Sequence, residues 1–243
     1  MTLNRNQLKL LAIAAMTTDH ITWLLFPGLQ HVWYVMLLHA IGRLTAPIMW
    51  FFLAEGIFYT RSKLNYIGRL FVFGVLSHFA YNFAFGNSLI PFQTGILNQT
   101  SIMWSLTVGA VLMVILNYTK IGFWVKILAI VVACIISIPA DWSCVAVMAP
   151  NFLYTHRKNF KWVCLDYIWW SILYVVVYFF AIDKPYGLLQ FGVLLVLPFL
   201  KCYDGTPGKW KGMKWFFYIY YPAHLVVIGL LRLYLYGNYP ILF

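Results

Sequence analysis

Of the 243 residues, 63% are hydrophobic, 20% aromatic and only 9% charged, with a mean hydropathy of +0.80; soluble domains carry about 25% charged residues. This excludes an ordinary soluble globule and defines an integral membrane protein. The net charge of +11 is spread between apolar stretches rather than gathered in a stripe, which argues against nucleic acid and for lipid headgroups and membrane orientation.

The first apolar stretch runs from Leu8 to Phe26 behind a basic front of Arg5 and Lys9. It is too long for a cleaved signal, carries Asp19 and His20, and lacks a small-residue cleavage pattern, so it is expected to stay as a helix with its amino end in the cytoplasm. An aromatic stretch, Val32 to Ala40, either lies at the interface or begins the next span. Further spans are expected at Ile41–Thr60 (with Pro47 in its first turns), Tyr66–Phe85, Ser101–Asn117, Gly122–Ile138, Asp141–Tyr154, Trp162–Ile182, Leu188–Leu200 and Trp215–Tyr236. A bilayer core needs about 20 apolar residues per crossing, so the short sixth and eighth are expected to tilt, re-enter or be buried by neighbours. The pattern predicts an all-α, polytopic protein of about nine transmembrane helices, one domain over residues 1–243. With the amino terminus inside, the positive-inside rule is satisfied by 14 of the 17 Lys and Arg, leaving Arg43, Lys184 and Arg232 on the other side. A multi-pass protein of the plasma membrane follows, with the carboxyl terminus at Phe243 outside and the polar Tyr203–Lys214 connection inside.

Within this apolar chain, Thr17-Thr18-Asp19-His20 stands out. An Asp at mid-helix costs about 2.5–3.5 kcal/mol on insertion scales, so such residues usually serve function. Helical rise places Asp19 and His20 within reach of Arg43 on the outer side, and Glu55 about 18 Å along its helix from Arg43, near Arg61 and Arg69. His78 and His224 fall near mid-membrane, and Asp141 lies with Arg232 toward the outer rim. Two polar clusters on one inward-facing path point to a tunnel. Each residue also has a plain structural account: Glu55 pairing with Arg69 or Arg61, His78 and His224 as interhelical hydrogen-bonding residues, Asp141 as a helix N-cap, Asp166 and Lys184 solvated or snorkelling near the interfaces.

A His in a dry site, with a carboxylate to orient it and an Arg facing developing negative charge, is the equipment of acyl transfer: general base plus oxyanion stabilisation. Thr17 and Thr18 are further candidate nucleophiles. No GxSxG, HExxH, P-loop or GxGxxG occurs, and Cys134, Cys144, Cys164 and Cys202 show no metal spacing, so no metal is expected. The basic clusters Arg61, Lys63, Arg69 and Arg157, Lys158 are placed to receive the phosphates of an acyl donor. The competing classes are a proton-coupled transporter or flippase with Asp19 and His20 as relay, and a non-catalytic assembly factor.

The stretches Met16-Thr17-Thr18-Asp19-His20-Ile21, Ile41-Gly42-Arg43-Leu44 with Pro47, Glu55-Gly56-Ile57-Phe58-Tyr59-Thr60-Arg61 and Tyr221-Pro222-Ala223-His224-Leu225 resemble, in this order, those of the TraX family. That family is named for a protein that acetylates the amino terminus of F-pilin. The resemblance places Asp19, His20, Arg43, Glu55, Arg61 and His224 on motif positions, with Ala46 standing where a Phe is familiar. It implies an acyltransferase moving acetyl from cytoplasmic acetyl-CoA to an amine or hydroxyl of an acceptor peptide or envelope glycan. His20, Asp19, Arg43 and Glu55 would be catalytic, with His78, His224 and Asp141 along the substrate path; the bilayer is a partner and oligomerisation is left open.

Overall fold

In a computed structural model the chain is described over residues 2–90 and 92–242; the predicted outer position of Phe243 falls outside that range. Helices occupy every stretch expected to span: α1 (Arg5–Leu25), α2 (Trp33–Gly42), α3 (Thr45–Tyr59), α4 (Lys63–Phe85), α5 (Ile102–Leu116), α6 (Phe123–Ser137), α7 (Ser143–His156), α8 (Phe160–Ala181), α9 (Lys184–Leu189), α10 (Leu197–Lys201) and α11 (Met213–Tyr236). Among the described residues there is no strand, only the isolated bridges Leu3–Tyr203 and Thr100–Ala140. By length and composition four segments can cross a bilayer: Arg5–Leu25, Trp33–Tyr59, Phe160–Ala181 and Met213–Tyr236. Ile102–Leu116 and Phe123–Ser137 are shorter apolar helices.

Local chemistry explains the ends and breaks. Asn4 caps α1 by accepting from the Gln7 amide at 3.0 Å while Gln7 accepts from the Asn4 amide at 2.9 Å, a reciprocal pair that satisfies two helix-end donors. Val32 to Ala40 opens the next span rather than standing apart from it: α2 and α3 together make the Trp33–Tyr59 segment, interrupted between Gly42 and Thr45. Pro47 accounts for the break, because it has no amide proton for the Arg43 carbonyl four residues back and its ring crowds that carbonyl. The eighth apolar stretch is likewise broken, with a 3₁₀ segment (Gln190–Val196) between α9 and α10; Pro198 removes the amide that would have bonded Leu194. α4 ends at Gly86, whose φ of +79° is left-handed and whose added Cβ would lie 2.8 Å from the Pro240 Cα.

The helices α1, α11, α4, α5, α7 and α3 pack in a closed ring, each against the next and α3 back onto α1. α6 lies outside it against α5 and α7, and exposes Phe123, Trp124, Val125, Leu128 and Ile135, while burying only Ala133 and Ser137. Such an outward apolar face suits hydrocarbon rather than water. α9 and the 3₁₀ segment cover the side of α2 and α3, with α8 packed on them and on α7, and α10 on the 3₁₀ segment.

Candidate functional site

Two cavities lie inside the ring. The upper one, about 60 Å³, is lined by Asp19, His20, Gly42, Arg43, Asp141, Tyr178 and Tyr221, among others. At that size it admits only a few water-sized groups.

His20 and His224 meet across α1 and α11, with Nδ1 of His20 2.7 Å from Nε2 of His224. The proton positions follow from the ends of the chain. His224 Nδ1 lies 2.9 Å from the Tyr220 carbonyl, which can only accept, so His224 Nδ1 carries the proton and, in the neutral ring, Nε2 accepts. His20 Nδ1 therefore donates, and the neutral His20 ring is left with a lone pair at Nε2. Pro222 sits between the two ends of this relay and removes one helix bond, to the Tyr218 carbonyl. The Tyr220 ring stacks on His224 at 5.2 Å.

Asp19 does not orient His20. Its Oδ1 accepts from His39 Nδ1 at 2.8 Å and from the Arg43 guanidinium at 3.2 Å. Neighbours on a helix point about 100° apart, which turns Asp19 toward α2 while His20 faces α11. His39 is fully buried, packs on Trp23 and Tyr186, and holds no other partner at Nε2. Arg43 also donates to the His39 carbonyl at 3.3 Å and lies 5.5 Å from the Trp142 ring centre. Trp142 takes a left-handed φ of +63°, a conformation that costs a non-glycine residue about 1–3 kcal/mol and concentrates at functional sites. Gly42 allows the approach of the two helices: a Cβ there would sit 2.4 Å from that of Asp19. The group combines a base with an exposed lone pair and a cation held by a carboxylate, which suits proton abstraction beside developing negative charge.

Other predicted residues are distributed differently. Asp141 lines the upper cavity but is no N-cap, since Trp142 caps α7 without a side-chain bond. Thr17 and Thr18 donate to the carbonyls of Ile13 and Ala14, and Thr17 accepts from the Tyr220 hydroxyl at 2.8 Å, so both hydroxyls are committed to structure. His78 is outside both cavities: Nδ1 meets Thr100 Oγ1 at 2.9 Å and Nε2 donates to the Leu89 carbonyl at 2.7 Å, tying the 87–100 connection to α4. Asp166 is not solvated; it is buried and bonds His156 at 2.9 Å, because a carboxylate inside a helical bundle needs a partner. Arg232 donates to the Gly237, Tyr239 and Phe83 carbonyls, anchoring the chain end.

Glu55 belongs to the lower cavity, about 760 Å³. Its partners are Arg5 at 3.8 Å and the Tyr203 hydroxyl at 3.4 Å, rather than Arg61 or Arg69. Arg61, Lys63 and Lys158 are exposed and line neither cavity. Arg157 stacks on Phe58 at 3.7 Å and donates to the Tyr154 carbonyl at 2.5 Å. Arg69 stands behind the wall, over Tyr66 at 5.7 Å. His39 escaped the sequence reading although it precedes Arg43 by one helical turn on the same face, the spacing that could have found it.

These features define a helical membrane protein with polar machinery enclosed between its helices. The family described as TraX protein matches residues 4–232, and the chain belongs to it. It is similar to a protein of Dichelobacter nodosus named "Probable fimbrial assembly protein FimC, serogroup H1", 29% identical over 236 residues that cover 94% of this chain and 96% of that one. No solved structure matches.

Proposed function

We propose that the protein is a membrane-embedded acetyltransferase that moves acetyl from cytoplasmic acetyl-CoA to the amino terminus of a pilin-like acceptor. The observation that carries this reading is the Tyr220–His224–His20 relay, which leaves a lone pair at Nε2 of His20, a residue that lines the upper cavity together with Arg43. As the acceptor amine attacks the thioester carbonyl, His20 Nε2 takes the amine proton. The Arg43 guanidinium faces the developing oxyanion. The proton then passes to the leaving thiolate, so that acetylated acceptor and free coenzyme A result. Asp19 and His39 position Arg43. The fimbrial name borne by the relative supports a pilus subunit as acceptor.

In this reading nine segments cross the plasma membrane with the amino terminus in the cytoplasm. The gathering of Arg5, Lys9, Lys209, Lys211 and Lys214 around one cavity supports that orientation. Purified protein given labelled acetyl-CoA and a peptide with a free amino terminus should label the peptide without any ion gradient. Gradient-dependent flux with no labelled peptide would instead make the chain a transporter, and neither activity would leave an assembly factor.

A further inference from the structure

The lower cavity opens where α1 and α11 begin and α3 ends, and its rim is built by the 203–212 connection. That connection is strapped to the amino-terminal segment: Leu3 donates to the Cys202 carbonyl at 2.7 Å, Arg5 to that of Thr206 at 2.8 Å, and Asp204 to that of Leu3 at 2.9 Å. Asn6 donates to the Trp210 carbonyl at 3.0 Å. Thr206 donates twice to Asp204, at 2.7 and 2.8 Å, and these bonds hold that exposed carboxyl below its usual range. The turn is therefore set, and it carries Lys209 and Lys211 over a cavity whose walls add Arg5, Lys9 and Lys214.

Glu55 is the only acidic residue lining the cavity among the described residues, and it faces Arg5. Five cations against one carboxylate make a strongly positive mouth, in a concave, partly apolar wall that focuses the field on an anion. Deeper in, the lining turns apolar, with Met49, Leu53, Leu70, Met103 and Leu106. The two cavities share α1, α3, α4, α5 and α11. Met103 of the lower follows Ile102 of the upper, Met49 comes one turn after Ala46, and Tyr218 comes about one turn before Tyr221. Lys9 and His20 are eleven residues apart on α1, or about 16 Å.

We infer that the lower cavity, rather than the Arg61–Lys63 or Arg157–Lys158 clusters, seats the phosphorylated head of the acyl donor, with the donor's thin arm running along the apolar wall toward His20. Lys209, Lys211 and Lys214 grip phosphate together with Arg5 and Lys9, while Glu55 holds Arg5 in place. A multiply phosphorylated head fits the charge excess, and coenzyme A supplies one. An anionic lipid offers the same phosphate chemistry from the inner leaflet. The inference rests on the acyl-transfer reading for the donor's identity, but not for the site.

Binding of free coenzyme A to the purified full-length protein, measured by calorimetry, tests it without requiring turnover. Lys209 and Lys211 are exposed, so the double change Lys209→Gln with Lys211→Gln should keep the wild-type melting temperature. It should weaken coenzyme A binding tenfold or more, and the remaining binding should depend less steeply on salt. Arg61→Gln with Lys63→Gln, and His20→Ala, should bind as wild type. Unchanged affinity in the Lys209/Lys211 variant, or a loss confined to the Arg61/Lys63 variant, would overturn the site. Binding of phosphatidylglycerol in nanodiscs with no binding of coenzyme A would overturn the donor assignment in favour of a lipid. Lysine-dependent coenzyme A binding without transfer to any acceptor would keep the site and remove the acyl-transfer reading.

Discussion

At the scale of single residues, His20 and Asp19 are neighbours in sequence with separate duties. His20 lines the upper cavity and keeps a lone pair at Nε2, so as the proposed base its change His20→Ala should lower transfer by about 10²- to 10⁴-fold, the usual effect of a positioned base. One interhelical hydrogen bond in a membrane is worth only about 0.6 kcal/mol on average, so the variant should stay folded and bind donor. Near wild-type transfer would show that the His20–His224 pair is structural. Asp19→Asn acts elsewhere. It leaves the Arg43 guanidinium without its anion, and breaking a buried pair costs about 3–5 kcal/mol. Its melting temperature should fall far more than that of His20→Ala; equal melting of the two variants would contradict the assignment of Asp19 to Arg43.

At the scale of elements, the discontinuity between α2 and α3 does more than end a helix. Arg43 sits at the break, where its amide still bonds the His39 carbonyl at 3.1 Å, its carbonyl has no Pro47 amide to accept from, and its side chain reaches Asp19 while lining the cavity. Broken helices in membranes are tolerated where they line a cavity. Pro47→Ala restores the missing amide and should let the helix run through Arg43, shifting the guanidinium. A misplacement of about 1 Å can cost about 10²-fold in rate, so transfer should drop by about that factor while the melting temperature holds or rises. Retained activity would mean that the break is incidental. Gly86 is the converse case: it ends α4 beside the upper cavity, just after Phe85, which packs edge-on against His20, and lies far from the lower one. Gly86→Ala forces a Cβ into a left-handed residue, costing about 1–2 kcal/mol, and onto Pro240. It should lower the melting temperature with no change in donor affinity.

At the scale of the whole molecule, the ring of helices encloses a basic lower cavity and a small upper one along one axis. In the proposed transferase the donor comes to His20 from the lower cavity and the acceptor from the opposite side of the membrane. Cysteines introduced at Gly205 and at Asp183, in a background without the four native cysteines, should react with a membrane-impermeant thiol reagent on opposite faces of the cell. Labelling of both from the outside would reverse or abolish the proposed orientation.

The membrane class and the helix positions were legible in the amino-acid order because hydrocarbon requires each spanning segment to satisfy its own backbone, which writes length and apolarity into contiguous sequence. That Asp19, His20, Arg43 and His224 would need partners inside the bundle was legible for the same reason, since a polar side chain in an apolar run is costly wherever it finally packs. Partnership was not. Asp19 bonds His39 and Arg43 because α2 crosses α1 at Gly42, and His20 bonds His224 although 204 residues separate them. Nor could sequence distance bring Lys209 and Lys211 to Arg5 and Lys9, which are brought together by the bonds between the amino-terminal segment and the 202–210 stretch. Helix rotation and loop closure decide which faces meet, and those depend on packing among all the helices at once, so the tertiary structure alone settled the pairings.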